Sequence, residues 1–291
     1  MKKLTGSAIL PILLALVVWA QGPSQFRPGF NLFSKEQDVQ LGQENAAQVR
    51  KQMVVVHNQY LTDYVNRVGK RLANSREARE SGFPFSFEVV ADPSINAFAL
   101  PGGPMFIHTG LLKAVDNEAQ LAGVMGHEMS HVILRHGTNQ ASKSKLIELP
   151  AVLGSQVAGG SLTGQLTKLG IGLGANSVLL KFSRTAESQA DLMGSHLMAE
   201  GGYNPIEMAR FFQKLDAEGG SRAPQFFSDH PNPGNREKAI EEEIRKLPQQ
   251  QYSFQTGQFQ RMKLIASKIR EPKRRAPAQP QPAQKQEAPQ Q

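Results

Sequence analysis

The stretch GVMGHEMSHVILRHG, residues 123–137, places His127, Glu128 and His131 in an otherwise apolar run. The apolar residues around the three are Leu121, Val124, Met125, Val132, Ile133 and Leu134. A helix that is apolar on all sides is buried, and buried ionisable groups need partners or a bound ion. The stretch therefore predicts a mostly buried helix with a polar site built into it.

The spacing within this helix suits a metal ion. Positions i and i+4 lie on one helix face, so His127 and His131 can direct their imidazoles at one ion. Zinc accepts neutral imidazole nitrogen, and three protein ligands leave one position for water. Glu128, next to the first ligand, can reach that water as a general base. A surface helix with two unrelated histidines is the alternative, which the apolar surroundings disfavour.

The third ligand has to come from elsewhere in the chain. The extended zincin motif would need Gly at 134 and His at 137, but these positions hold Leu134 and Gly137. A carboxylate on a second helix is another common solution. The stretch SRTAESQADLMGSH offers Glu187 and Asp191, one helical turn apart. Glu187 could bind zinc while Asp191 orients a ligand imidazole through its other nitrogen; two solvated acids are the alternative.

Several stretches together resemble one family of peptidases. They are NAFALPGG, TGLL, GHEMSHVILRHG, SRTAESQAD, GGYNP and DHPNPGNR, all within residues 34–245. In this order they resemble the gluzincin metalloendopeptidases of the HtpX and CAAX-prenyl-protease type, peptidase family M48, and most closely its soluble or periplasmic branch. The resemblance implies an α+β fold, a mainly helical zincin with a small β-sheet beside the active-site helix.

The resemblance also implies roles for individual residues. It makes His127, His131 and Glu187 the ligands of one zinc ion per chain, Glu128 the base, and Asp191 a residue that supports a ligand.

It further implies that His230 and Arg236 assist catalysis, with His230 either stabilising the oxyanion or capping zinc in a closed state. A loop leading into a helix, suggested by the nearby prolines, is the alternative for this segment. The expected edge strand that pairs with the substrate backbone consists of Asn96, Ala97, Phe98 and Ala99. The histidines for which no ligand role is expected are His57, His108, His136 and His196.

Local patterns predict the elements in the first half of the chain. Ser34 and Gln37 form a capping box at the start of a helix, and NQYLTDYVNRVGKRLANS predicts a second helix. FPFSFEVV alternates and predicts a strand, and the apolar runs on either side of residues 101–104 predict a hairpin. Asp116 is the expected N-cap of the motif helix, and Gly137 its expected stop signal.

Further helices are predicted in the second half. One runs from Thr185 to about Glu200, another begins at residues 204–207, and NREKAIEEEIRKL forms the last. The glycine-rich, apolar run at 141–182 predicts closely packed helices, with a membrane-facing or flexible element as the alternative.

The N-terminus predicts export. Lys2 and Lys3 precede an uncharged apolar run to Ala20, as in a secretory signal peptide, with an uncleaved anchor as the alternative. Residues 21–33 are expected to form a linker, 34–271 the zinc metallopeptidase domain, and 272–291 a disordered Pro/Gln-rich basic tail. The expected location is the periplasm or cell envelope of a bacterium, with peripheral membrane association left open.

The composition excludes several function classes. The chain has no Cys, which rules out a thiol nucleophile and cysteine-zinc sites. Its net charge of +8 lies largely in residues 236–291, which carry 12 Lys and Arg against 6 Asp and Glu. Because the folded part has no basic stripe, we expect no nucleic-acid partner.

The sequence thus favours a zinc-dependent endopeptidase that hydrolyses misfolded or unassembled cell-envelope proteins, with a zinc-bound water activated by Glu128. The alternative is a zinc-stabilised chaperone or assembly factor whose peptidase activity is latent and self-inhibited. A membrane-bound CAAX-type processing enzyme would require the run at 141–182 to insert into a bilayer.

Overall fold

The computed structural model describes residues 26–152, 182–217, 226, 230–232, 234–248, 250–252 and 257–272. The signal segment predicted at 1–20, almost all of the predicted tail, and most of the glycine-rich run lie outside these residues. Within the described residues, no helix combines the length and the apolar character needed to cross a membrane.

The first helices form where the sequence predicts them. Helix α1 follows Ser34, whose hydroxyl accepts from the Gln37 backbone N–H while the Gln37 side chain accepts from the Ser34 N–H, so the predicted capping box is confirmed. Helix α2 buries the apolar face that its periodicity predicts. The bounds are Lys35–Gln52 for α1, Gln59–Ala73 for α2 and Arg76–Ser81 for a short α3.

A three-stranded sheet follows, with the strands β1 (Ser86–Val90), β2 (Ala97–Ala99) and β3 (Pro104–His108). The order is β1-β3-β2; β2 and β3 are antiparallel, which confirms the hairpin, and β1 runs parallel to β3. The hairpin turn packs tightly on α1. Gly102 there has a φ of +76°, and a Cβ on it would lie 2.4 Å from the Val39 Cα. Because β3 lies in the middle of the sheet, β2 is an edge strand, and it lies beside the helix that carries the HExxH motif.

The motif helix differs from prediction at both ends. Helix α4 spans Thr109–Ala114, α5 spans Glu118–Ile133, and α6 spans His136–Val152. The N-cap of α5 is Asn117, whose side chain accepts from the Gln120 N–H, so the prediction of Asp116 was wrong. Asp116 instead forms an ion pair with Lys214.

Gly137 was also wrong as the stop signal, because it lies inside α6. The chain turns at Arg135, which has a φ of +56°, a conformation more usual for glycine. The side chain of Arg135 is held by the Asp38 carboxylate at 2.6 Å and by the Phe33 carbonyl at 2.6 Å. These two bonds offset the backbone strain of roughly 1 kcal/mol at that residue.

The second half adds four described helices, one more than predicted. They are α7 (Arg184–Glu200), α8 (Ile206–Ala217), α9 (Arg236–Ile244) and α10 (Phe259–Lys268). Helix α9 was expected to be the last, but α10 packs on α2 and α4 through buried Phe259, Met262 and Ala266. Its neighbouring Glu271 accepts from Thr109 and Lys113 at 2.5 Å each, which attaches the end of the described chain to α4.

Helix α5 lies at the centre of the fold. Every residue from Glu118 to Ile133 is buried. At its first turn the Glu118 carboxylate accepts from the hydroxyls of Tyr64 at 2.6 Å and Tyr203 at 2.8 Å, which anchors α5 to α2 and to the loop that follows α7. The predicted class is confirmed: a mainly helical α+β fold with a small sheet beside the motif helix.

Two glycines allow α5 and α7 to touch. A Cβ on Gly194 would lie 3.1 Å from the His127 backbone nitrogen and 3.2 Å from the Gly126 carbonyl carbon. A Cβ on Gly126 would lie 3.3 Å from the Gly194 carbonyl oxygen. These neighbours are backbone atoms that cannot rotate away, so a methyl group at either position would require the two helices to shift by a few tenths of an ångström.

We expect Gly194→Ala to lower stability by about 1–3 kcal/mol, despite the better helix propensity of alanine, because the added methyl pushes α7 from α5. Urea unfolding measures the change. Gly257→Ala is the matched control, since a Cβ at Gly257 has open space around it. Equal stability of the Gly194→Ala and wild-type chains would show that the close approach carries no energetic weight.

Candidate metal centre

Helix α5 aims two imidazoles at one point, as its spacing predicts. The Nε2 atoms of His127 and His131 lie 3.1 Å apart, and both side chains are buried. Two bare acceptor nitrogens at this distance repel each other unless a proton or a cation lies between them. The pair therefore calls for positive charge at the point where the two rings meet.

Helix α7 supplies the carboxylates. The oxygens of Glu187 lie 3.3 Å from His127 Nε2 and 3.5 Å from His131 Nε2. One turn later, Asp191 accepts from His127 Nδ1 at 2.9 Å. With Nδ1 directed at Asp191, His127 turns its Nε2 towards the cluster, where loss of the Nε2 proton would free a lone pair for an ion.

A third imidazole completes the cluster. His230 Nδ1 lies 3.3 Å from His127 Nε2 and 3.1 Å from Glu187 Oε1, and the ring stacks on Phe226. His230 Nε2 lies 3.2 Å from Oε1 of Glu128. The same ring thus faces both the ligand cluster and the carboxylate expected to act as base.

Arg236, the first residue of α9, lies behind the two acids of α7. Its Nε donates to Asp191 at 2.6 Å, its Nη2 donates to Glu187 at 3.3 Å, and its guanidinium lies 4.1 Å from the centre of the Phe212 ring. The described contacts of Arg236 make it a positioning residue for both carboxylates. Its positive charge also offsets part of the cost of burying them.

Burial and hydrogen bonding shift the pKa values of Glu187 and His127 in opposite directions. Burial alone would raise the pKa of Glu187, but hydrogen bonds from His127 and His230 hold that pKa well below its usual range. Burial would lower the pKa of His127, yet its bonds to Asp191 and Glu187 raise the pKa to about 9. Burial, together with the neighbouring His127 and His136, lowers the pKa of His131 well below its usual range.

The donor set fits a zinc ion. The four candidate ligands offer donor atoms that all lie within 4.8 Å of one another, and all four are buried: His127, His131, Glu187 and His230. Three imidazoles and one carboxylate are ligand types that zinc accepts in a four-coordinate site. Glu128 stands beside the set; its Oε1 is buried and lies 3.2 Å from His230 Nε2, and no described residue meets it in hydrogen-bonding geometry.

A family comparison agrees with this geometry. The model of Peptidase family M48 matches residues 59–244, more than half of the chain and all of the cluster. The chain belongs to peptidase family M48.

Relatives in family M48 include bacterial and mitochondrial proteins. The chain is similar to the Beta-barrel assembly-enhancing protease of Escherichia coli K12, with 32% identity over 69% of this chain and 42% of that protein. It is also similar to the Mitochondrial metalloendopeptidase OMA1 of Schizosaccharomyces pombe, with 33% identity over 67% of this chain and 56% of that protein. The chain therefore spans about half the length of these relatives.

The predicted substrate strand lies against Glu128, the predicted base, in this M48 chain. The His108 N–H donates to the Asn96 carbonyl and the Leu100 N–H to Pro104, so alternate peptide groups of β2 face β3. Those of Ala97 and Ala99 face away from it. The Ala97 N–H donates to the Asn96 side chain, and the Ala99 N–H donates to Glu128 Oε2 at 3.2 Å. The outer edge of β2 is thus directed at the active-site helix.

No role in the site was predicted for His136. It begins α6, is buried, and places its Nδ1 3.0 Å from Nδ1 of His131. Burial lowers the pKa of His136 to about 4. A neutral His136 can accept from His131 Nδ1 while its own Nε2 donates to Gln189 at 3.3 Å. This series of hydrogen bonds favours the tautomer of His131 that carries its proton on Nδ1 and leaves Nε2 facing the cluster.

The other histidines lie away from the cluster. His57 is exposed. His108 pairs with Ser94 at 2.7 Å, and His196 with Glu243 at 2.7 Å. The sequence does show a histidine five positions after His131. The local pattern does not show the left-handed turn at Arg135, which brings the His136 ring back against His131.

We expect His136→Phe to weaken zinc binding by about 10–100-fold, because the ring keeps its shape but no longer accepts from His131. Competition with a zinc chelator measures the affinity. His57→Phe, an exposed histidine, is the control. If unfolding of the metal-free protein changes and zinc affinity does not, His136 supports the fold alone.

Proposed function

We propose that this chain is a zinc-dependent endopeptidase that hydrolyses peptide bonds of misfolded or unassembled cell-envelope proteins. One observation carries the proposal: a buried carboxylate, Glu128, contacts both a four-ligand cluster and the open edge of a β-strand. Those are the three parts that peptide hydrolysis needs, namely a metal position, a base and a site for the substrate backbone.

The residues divide the chemistry between them. His127, His131 and Glu187 would hold zinc, which when bound polarises the scissile carbonyl and acidifies water. Glu128 takes the proton of the attacking water and passes it to the leaving amine. Burial raises the pKa of Glu128, against the opposing effect of His230 and His127, so its carboxylate readily holds a transferred proton.

The edge strand supports an unfolded protein as substrate. A polypeptide can pair with Ala97 and Ala99 only in extended form, with its own backbone groups free. Folded proteins bury or pair those groups, whereas unassembled and misfolded chains expose them. Selection for damaged or unassembled proteins then follows from backbone pairing.

The envelope is the proposed location. The signal-like residues 1–20 support export to a bacterial periplasm. A relative of which the chain covers 42% is named a Beta-barrel assembly-enhancing protease, which agrees with substrates in that compartment. Association with the membrane surface would place the enzyme near such substrates.

His230 would hold the site closed in the described arrangement. Its Nδ1 stands among the ligand atoms and its Nε2 stands against Glu128, where an attacking water and a scissile carbonyl must enter. We therefore assign His230 the capping role of the two expected from the sequence. Opening would require the ring to leave Phe226 and the cluster.

The alternative of a zinc-stabilised chaperone with latent peptidase activity is not favoured. The base and the ligands stand together, and the relatives carry the names of proteases. A capped state accounts for low resting activity without a separate binding function.

We expect Glu128→Gln to retain one zinc per chain and to lower casein cleavage by at least about 10²-fold, because the amide cannot take a proton. Metal analysis and proteolysis of the same preparation measure both. Glu80→Gln, an exposed glutamate, is the control.

Retained cleavage by Glu128→Gln would contradict the role of Glu128. If the variant loses cleavage but corrects an envelope defect as well as wild type, binding and not hydrolysis is the cellular function.

We expect His230→Ala to cleave casein severalfold faster than wild type at saturating zinc, because the capping ring is gone. Initial rates measure the change, with His57→Ala as control. A slower reaction with unchanged zinc content would instead show that His230 stabilises the oxyanion.

A further inference from the structure

The outer side of helix α10 presents a row of exposed side chains. The inner side of the helix packs on α2 and α4. On the opposite side, the spacing i, i+3 and i+7 places Arg261, Leu264 and Lys268 on one helix face. All three are exposed, and Leu264 has 56% of its surface in solvent. We call these three residues the α10 face.

The α10 face is basic and has no acids of its own. Residues 257–270 contain four Lys and Arg residues and no Asp or Glu. One of the four, Lys263, turns inward and donates to a backbone carbonyl at 2.6 Å. The remaining three form no ion pair with a described residue: Arg261, Lys268 and Arg270. Their charges are therefore available to an anionic partner.

The surroundings of the α10 face add positive charge. The first acid after the helix, Glu271, is already paired with Lys113 at 2.5 Å. Three further basic residues follow in the sequence at 273–275. The sequence analysis expected no basic stripe in the folded part, because α10 was not predicted. The structure shows that part of the basic charge near the C-terminus lies on a folded helix.

The apolar residue at the centre of the α10 face distinguishes between anionic partners. Helices that bind at a bilayer surface combine Lys and Arg, which attract anionic headgroups, with apolar side chains that enter the acyl boundary. Nucleic acid phosphates would attract the same two cations but would leave Leu264 without an apolar environment. The signal-like residues 1–20 also favour a compartment bounded by membranes.

We propose that the α10 face binds the surface of an anionic phospholipid bilayer, with Arg261 and Lys268 at the headgroups and Leu264 at the acyl boundary. The inference rests on the envelope location given under the proposed function and not on the peptidase chemistry. It assigns a lipid-binding surface to a part of the chain that lies outside residues 59–244, which the family model matches.

Contacts connect the α10 face to the substrate strand. Glu271, three residues after the helix, accepts from the Thr109 hydroxyl at 2.5 Å. That hydroxyl also lies 3.0 Å from the carbonyl of Asp92, in the loop that leads into β2. Docking through α10 would therefore hold the start of β2 near the lipid, where unassembled envelope proteins are expected.

Vesicle co-sedimentation of the full chain tests the charges. The vesicles contain phosphatidylcholine alone or an equal mixture with phosphatidylglycerol. The variant combines Arg261→Gln, Lys268→Gln and Arg270→Gln. We expect its affinity for the anionic vesicles to fall roughly a hundredfold, because each basic residue at a lipid surface contributes a factor of about five.

A matched variant removes three exposed positive charges elsewhere, on α1, α6 and α9: Lys51→Gln, Lys143→Gln and Lys238→Gln. It has the same net charge as the α10 variant and the same residues 1–20. Attraction through the N-terminus or through total charge is therefore common to both variants. We expect the matched variant to bind anionic vesicles like wild type.

Tryptophan fluorescence tests the insertion of Leu264. The chain has one tryptophan, Trp19, so Leu264→Trp in a Trp19→Phe background places the only indole on the α10 face. We expect a blue shift, and quenching by brominated lipid, when anionic vesicles are added. Val54→Trp in the same background is the control, since Val54 is also 56% exposed, and it should show neither change.

Equal binding of the two triple variants to anionic vesicles would overturn the proposal, as would an indole at 264 that stays in water. If the α10 variant instead loses binding to duplex DNA and not to vesicles, the face binds nucleic acid and the membrane proposal is wrong. Casein cleavage judges the proposed function separately. Vesicle binding without cleavage contradicts only the peptidase activity, and cleavage without vesicle binding contradicts only the lipid surface.

Discussion

The contact between α5 and α7 is the constraint on which the rest of the structure depends. Two of the predicted ligands stand on one helix and the third on the other, so the distance between the helices would set the size of the proposed metal position. Gly126 and Gly194 make that distance short, with backbone against backbone. Glutamate is also a longer side chain than aspartate, which lets Glu187 reach the imidazoles while Asp191, one turn on, reaches only the far nitrogen of His127. The division into a ligand and a supporting acid follows from the geometry of two touching helices.

Burying this many polar groups is costly, and the fold offsets the cost with ordered pairs. Arg236 binds both acids from behind, Asp191 fixes one ligand ring and His136 fixes the other. The rings of His127 and His131 are therefore held in place by protein hydrogen bonds, which would reduce the entropy lost on binding an ion. The same pairs shift the pKa values of neighbouring groups in opposite directions, so protons and a metal ion compete for one small volume.

Local sequence rules predicted the parts of the site that depend on short spacing. The i, i+4 histidines, the adjacent glutamate and the acids one turn apart could all be read from single helices, and the capping box at Ser34 likewise. Features that depend on distant partners could not. Arg135 adopts a left-handed turn because Asp38 and Phe33, about a hundred residues earlier, hold its side chain, and that turn returns His136 to the cluster. Asn117 rather than Asp116 is the cap because α5 begins at Glu118, which places the Asn117 side chain within reach of the Gln120 N–H. Helix α10 was not predicted because its few apolar residues stabilise it only by packing against α2 and α4.

The hydrogen bond from the Ala99 N–H to Glu128 has a consequence for timing. On the proposed function, two acceptors compete for that amide hydrogen: the Glu128 carboxylate in the resting arrangement, and a backbone carbonyl of the incoming strand. One donor serves one acceptor well, so a chain that docks in register would take the hydrogen and release the carboxylate. Oε2 of Glu128 would become free only where a backbone is correctly seated, so both oxygens of the carboxylate would be available only with substrate in place.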